Sequence, residues 1–89
     1  MNGPAAGGAA VVPLTHRDRA ILRAVARGTA ELTGGSQPDL LLDGRCCCDQ
    51  MAARRLAHAG LIAGAAPAAP GRRVPARLTP AGRQELLAG

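Results

Sequence analysis

Eighty-nine residues make one small domain, close to the lower limit of what folds alone. With no Phe, Tyr or Trp the core has to be built from Leu, Ile, Val, Met and Cys, which makes it thin, and so small a chain has little room for a deep apolar pocket. All 11 basic residues are Arg, and against 6 acids they give a formal charge of +5, a balance that suits a polyanion such as nucleic acid or an acidic protein surface. An arginine-only basic set beside so much Ala, Gly and Pro also follows from a GC-rich coding sequence, so the charge is support and not proof.

The segment over 1–13, MNGPAAGGAAVVP, is small, Gly-rich and Pro-punctuated, and it is expected to be a disordered N-terminal tail. It has no basic n-region and no apolar run long enough for a signal peptide or a membrane span, which points to a soluble, cytoplasmic protein with no membrane partner. Order begins at Leu14, and a single domain is expected over 14–89. Thr15 with Asp18 three residues later resembles a capping box with Asp in place of Glu. Ala20, Ile21, Ala24 and Val25 then form an apolar face, and Gly28 stops the first helix. Arg17, Arg19, Arg23 and Arg27 decorate that helix as a solvated face or as phosphate contacts.

Two readings compete for TAELTGGSQPDLLLDG, residues 29–44. In one, Ala30 to Thr33 is a short strand, and Ser36 with Asp39 caps a short helix through Leu40, Leu41 and Leu42. In the other, Leu40 to Leu42 is a strand ending in an Asp43-Gly44 turn, forming a hairpin with Glu31 to Thr33. The helix is preferred here because a second helix is needed if the next segment belongs to a helix-turn-helix.

That next segment, 45–60, has helical spacing. Cys48, Ala52, Leu56 and Ala59 form one stripe at i, i+4, i+8 and i+11, and Cys46, Cys47, Gln50, Ala53, Arg54 and Ala57 fall on the other side. Asp49 in the first turn and His58 in the last suit the helix dipole, and Gly60 is a C′ stop. After Gly60 the period changes. Leu61 and Ile62 open a strand, AGAAPAAPG reads as a flexible tip, and Val74, Ala76 and Leu78 alternate with Arg73, Pro75 and Arg77. Pro75 cannot donate to a ladder, so its strand is expected at an edge. Thr79 and Pro80 read as N-cap and N1 of a final short helix carrying Leu86 and Leu87, which Gly82 weakens.

Helix, short strand, helix, a helix ending in LAHAGLI, a basic hairpin and then RLTPAG together resemble the winged helix-turn-helix domain of MarR-type bacterial transcriptional regulators. The resemblance spans about Leu14 to Leu87 and is carried by two short matches, the Leu56 to Ile62 segment and the LTPAG that closes the second wing strand. It implies an α+β fold: a small winged helix-turn-helix with three to four helices and a two- or three-stranded antiparallel wing sheet. It also implies a sequence-dependent DNA-binding regulator whose recognition helix, 45–60, enters the major groove, while a wing over 63–78 lies on the backbone or in the minor groove. The DNA-reading positions carried over are Cys47, Gln50 and Arg54 on the helix and Arg72 and Arg73 on the wing, with double-stranded DNA as partner. No long terminal helix supplies that family's dimer, and the sequence leaves the oligomeric state open between a monomer and a homodimer, the latter a gain in stability and DNA affinity for so small a core.

Cys46, Cys47 and Cys48 admit a second story. At a helix N-terminus beside Arg45 they suit a redox-sensitive thiol, although neighbouring side chains 100° apart make a disulfide between them poor. A metal site is weaker, since no Cys-x-x-Cys is present and neither His16 nor His58 stands at ligand spacing. The plainest reading is that the three cysteines pack as small hydrophobes, and no cofactor is expected. No nucleophile, base and orienter stand at recognisable spacing, and no glycine pattern makes a phosphate loop, so an enzyme is not expected. The alternative to DNA binding is an adaptor whose arginine-bearing face takes an acidic protein partner.

Overall fold

A computed structural model describes residues 13–88. The expected tail thus lies, except for the exposed Pro13, outside the described residues. In chain order the elements are α1 (His16–Ala26), β1 (Ala30–Thr33), β2 (Leu40–Leu42), β3 (Arg45–Cys46), α2 (Gln50–His58), β4 (Ile62–Gly64), β5 (Arg73–Leu78) and α3 (Pro80–Ala88). No helix among the described residues is long and apolar enough to cross a membrane.

α1 starts where its capping residues place it. The Thr15 hydroxyl accepts from the Asp18 N–H at 3.0 Å, and the Asp18 carboxylate accepts from the Thr15 N–H at 3.0 Å, which satisfies two donors at the helix start. Ile21, Leu22, Ala24 and Val25 form its buried stripe.

The strands make one five-stranded antiparallel sheet in the order β3-β2-β1-β5-β4. Its register pairs Leu32 with Leu40 and Val74, and Ile62 with Leu78. Because side chains alternate along a strand, Ala30, Leu32, Leu40, Leu42, Val74, Ala76, Leu78 and Ile62 share one face. That face carries the core, where it meets Ile21, Leu22 and Val25 of α1, Ala52, Ala53 and Leu56 of α2, and Leu86 of α3. The other face carries Glu31, Thr33, Cys46, Ala63, Arg73, Pro75 and Arg77 around a buried Leu41, which stands outside the helix-side core cluster. The architecture is two layers, three helices on one side of the sheet.

This corrects the expected winged helix-turn-helix. The class is α+β, but the sheet is five strands wide where a two- or three-stranded wing sheet was expected, and no helix forms over 36–43. The alternative hairpin reading of that segment is closer. Leu40–Leu42 is a strand paired with Ala30 to Leu32, and the Asp43-Gly44 turn leads on into β3. Asp43 has φ 54° and Gly44 φ 80°, the pair of positive values that a two-residue type I′ hairpin turn requires and that Asp-Gly supplies at low cost. Such a turn cannot be the end of a helix-turn-helix. It sends Arg45 and Cys46 back along β2, so the recognition helix expected over 45–60 begins only at Gln50.

Pro75 lies in β5, which is flanked by β1 and β4, and not at an edge. The Pro75 carbonyl accepts from the Ala65 N–H at 2.7 Å, one residue past the end of β4. The N–H that proline lacks would point to the same place, where the ladder has already finished, so the sheet loses little.

α3 opens as expected, with the Thr79 hydroxyl accepting from the Gly82 N–H at 3.0 Å. Gly82 has a packing reason. A Cβ at that position would stand 2.0 Å from the Leu61 carbonyl oxygen, so α3 rests on the chain entering β4 only because this residue has no side chain. Helix propensity alone makes Gly82→Ala a gain of about 1 kcal/mol. The contact predicts the opposite sign, a loss of about 1–3 kcal/mol from overpacking, read as a lower urea midpoint.

Candidate nucleic-acid interface

The α2 residues that resembled a base-reading face are occupied inside the molecule. Gln50 accepts from the Leu40 N–H at 2.8 Å, and its amide NH2 donates to the Leu40 carbonyl at 2.8 Å and the Cys47 carbonyl at 2.9 Å. One side chain thereby clamps the start of α2 to β2. Arg54 donates to the Asp39 carboxylate at 2.6 Å and to the Pro38 carbonyl at 3.3 Å, holding the loop between β1 and β2. Cys47 is half-buried against the core with its thiol directed at the Asp49 carbonyl, 3.9 Å away. Ala53, expected on the outer side, is buried as fully as Ala52, because α2 is enclosed by the sheet and α1 together. Cys47, Gln50 and Arg54 therefore do not form an exposed reading face.

Asp49 is the N-cap of α2 and not a first-turn residue, and it accepts from the Ala52 N–H at 3.0 Å. Arg17 reaches the same carboxylate at 3.3 Å. The backbone hydrogen bond, aided by Arg17, holds the Asp49 carboxyl below the ordinary Asp value against a smaller desolvation effect.

Arg72 and Arg73 are where a wing contact needs them, exposed at the base of the β4–β5 hairpin. The tip of this hairpin is tied down. Gly34 donates to the Arg72 carbonyl at 2.9 Å, and the Gly71 N–H donates back to Gly34 at 3.2 Å. A cleft of about 360 Å³ lined by Pro67, Ala68, Ala69, Arg72, Arg73 and Val74 runs along it. Glu31 faces Arg73 across the sheet at 4.0 Å, a loose and half-exposed pairing that solvent screens.

The distribution of charge separates structural from available arginines. Asp18, Glu31, Asp39 and Asp49 face Arg55, Arg73, Arg54 and Arg17, and Arg19 donates to the Glu85 carbonyl. Among the described residues, Arg23, Arg27, Arg45, Arg72, Arg77 and Arg83 have neither a carboxylate nor a carbonyl partner, while Asp43 and Glu85 are the unpaired carboxylates. Arg77 shares the helix-free face with Arg73, at the far end of the same strand. Arg77 and Arg83 were not singled out by sequence reasoning. The strand alternation that places Arg73 and Arg77 together was readable, whereas Arg83 comes beside β5 only through the fold.

Cys46 and Cys48 are exposed and precede the helix instead of lying on it, so the expected helix N-terminal setting for the three thiols is absent. Among the described residues no three His, Cys, Asp or Glu side chains come together in a way that could hold a metal ion. His16 is exposed on α1, and His58 places Nε2 3.2 Å from the Ser36 carbonyl. No protein family, curated protein or solved structure matches the chain. The resemblance to MarR-type domains thus rests on the LAHAGLI and LTPAG segments alone.

Two outcomes follow. Gln50→Ala strands the Leu40 N–H and the Cys47 carbonyl, while the Leu40 carbonyl keeps the Cys47 N–H, and should lower stability by about 1–3 kcal/mol in urea denaturation. Asp49, with its carboxyl lowered in the folded state, contributes stability that is complete above the ordinary Asp value of about 4 and is lost as pH falls through the lower folded value. The stability gap between the wild type and Asp49→Asn should accordingly be flat near neutrality and close below about pH 4.

Proposed function

We propose that this protein binds duplex DNA through its phosphate backbone, with Arg72, Arg73 and Arg77 of the β4–β5 hairpin as the contact group. The observation that carries the reading is the partition of charge. Most carboxylates are held by structural arginines, and the surplus sits on exposed positions, with Arg72 and Arg77 unpaired and Arg73 bound only loosely. Guanidinium groups of this kind match phosphate oxygens and contribute affinity that falls with salt as counterions are released.

Base readout is not part of the proposal, because Gln50 and Arg54 spend their donors on Leu40, Cys47, Pro38 and Asp39. The reading therefore expects affinity with little dependence on sequence.

The test is fluorescence anisotropy with labelled duplexes of different sequence across a salt series, using protein shown to be folded. Each phosphate contact adds about 0.9 to the slope of log affinity against log salt, so Arg72→Ala with Arg77→Ala should flatten it by roughly 2. Arg54→Ala should leave the slope unchanged. Absence of binding at low salt by the folded wild type would overturn the reading and turn attention to an acidic protein partner for the same surface.

A further inference from the structure

At the far end of β5 the sheet contains a notch. β1 begins at Ala30, one residue beyond the pairing of Glu31 with Pro75, so it reaches no further along β5 than Ala76. Arg77 and Leu78 consequently have a neighbouring strand only on the β4 side. The bonds from the Ala65 N–H to Pro75 and from the Thr79 N–H to Leu61 set the alternation of the ladder. By that alternation Arg77 turns its main-chain groups towards β4, whereas Leu78 turns its own into the notch, where no strand residue stands opposite.

The end of α1 and the first turns of α3 wall in the space. It forms a cavity of about 320 Å³ lined by Val25, Ala26, Gly28 and Leu78, with Arg77 and Arg83 as the charged residues. Neither arginine has a carboxylate partner among the described residues, and no acidic residue lines the cavity. A guanidinium beside apolar walls attracts an anion more strongly than it would in open water, and Arg83 has no carboxylate to satisfy it there.

We propose that this notch is a phosphate-binding site, with the Arg83 guanidinium and the Leu78 N–H as its donors. A planar fork of N–H groups complements the oxygens of a phosphate, and a concave wall limits the competition from water. The phosphate belongs either to a nucleic-acid backbone or to a small phosphorylated molecule. The site goes beyond the hairpin reading and does not depend on it. Arg73 and Leu78 are opposite ends of β5, roughly 16 Å apart at the usual rise of a strand, so the notch is separate from the cleft at Arg72.

The full chain is titrated with inorganic phosphate at constant ionic strength, observed by two-dimensional amide NMR. Saturable shifts are expected at Gly28, Leu78 and Arg83. Arg83→Ala should weaken binding about tenfold or more, the loss expected when a hydrogen bond between charged groups is removed. Ala26→Leu should do the same by filling the cavity from an exposed position with no change of charge. Arg45→Ala removes an equal charge three strands away and should leave binding intact. Each variant's spectrum reports directly whether it is folded. Unsaturable shifts, wild-type binding by Ala26→Leu, or equal weakening by Arg45→Ala and Arg83→Ala would reduce the notch to diffuse attraction and overturn the site. The same variants, titrated with duplex DNA, separate the two sources. Weakened duplex binding by Ala26→Leu assigns a backbone phosphate, whereas unchanged duplex binding with phosphate binding lost assigns a small phosphorylated molecule. A duplex result confined to the hairpin variants leaves the notch to be judged on phosphate alone.

Discussion

The carboxylate of Asp18 joins the helical layer together. It is wholly buried, accepts the Thr15 N–H at the start of α1, and receives Arg55 of α2 at 2.6 Å. A buried carboxylate without partners is strongly unfavourable, so this one requires the capping box and the guanidinium to be in place together. In doing so it fixes the end of one helix against the flank of another. A core with no aromatic ring, whose largest fully buried side chains are Leu22, Leu40, Leu56, Ile62 and Val25, leaves the relative placement of elements weakly specified by volume alone. Directional polar contacts supply what bulk does not. Gln50 joins α2 to β2, Arg54 joins it to the loop before β2, and Arg17 reaches from α1 to the α2 cap.

This use of polar side chains decides what is left for a partner. A glutamine and an arginine one helical turn apart have the chemistry of a base-reading pair, and the same chemistry makes them effective tethers when main-chain groups and a carboxylate lie within reach. Here the tether wins. Leu40 and Cys47 offer main-chain groups to Gln50 at 2.8 to 2.9 Å, and Asp39 faces Arg54. Arg27, Arg72, Arg77 and Arg83 have no such neighbours among the described residues and Arg73 only a loose one, so the surplus charge falls on the sheet and its margins and not on the helix that looked like a reader.

How much of this was legible follows the range of the contacts involved. The start of α1 at Thr15 and Asp18, the strands around Ile62 and Val74, and the Thr79-Pro80 opening of α3 rest on contacts within a few residues or on strict alternation, and all are recoverable from the chain. The segment from Ser36 to Cys48 was not. Three leucines in a row carry no period, and Ala52 and Leu56 fit a helical stripe whether the helix starts at 45 or at 50. The deciding signal is local, the Asp43-Gly44 pair, whose turn chemistry outweighs the helical reading of the leucines before it. The roles of Gln50, Arg54 and Arg83 depend on partners supplied by the fold, which no spacing rule reveals. The MarR-like motifs share this weakness, since LAHAGLI and LTPAG describe how a helix enters a strand and a strand enters a helix and do not say what precedes them.

The borders of the sheet show why its helix-free face is an accessible surface. A five-stranded sheet with one helix-free face is prone to pair with another at its edges. Here β3 is two residues long and carries Arg45, while β4 is three residues long and ends at Gly64, where the chain turns away. Short edges with a charge or a glycine offer little ladder to a second copy. The hairpin tip, bonded back to Gly34, covers the end of β1 as well. With pairing discouraged at both margins, Arg73 and Arg77 stay in water on a rigid strand, spaced by the strand itself and not by flexible loops. Phosphate contacts made from such a support lose less conformational freedom on binding than contacts made from a mobile tail.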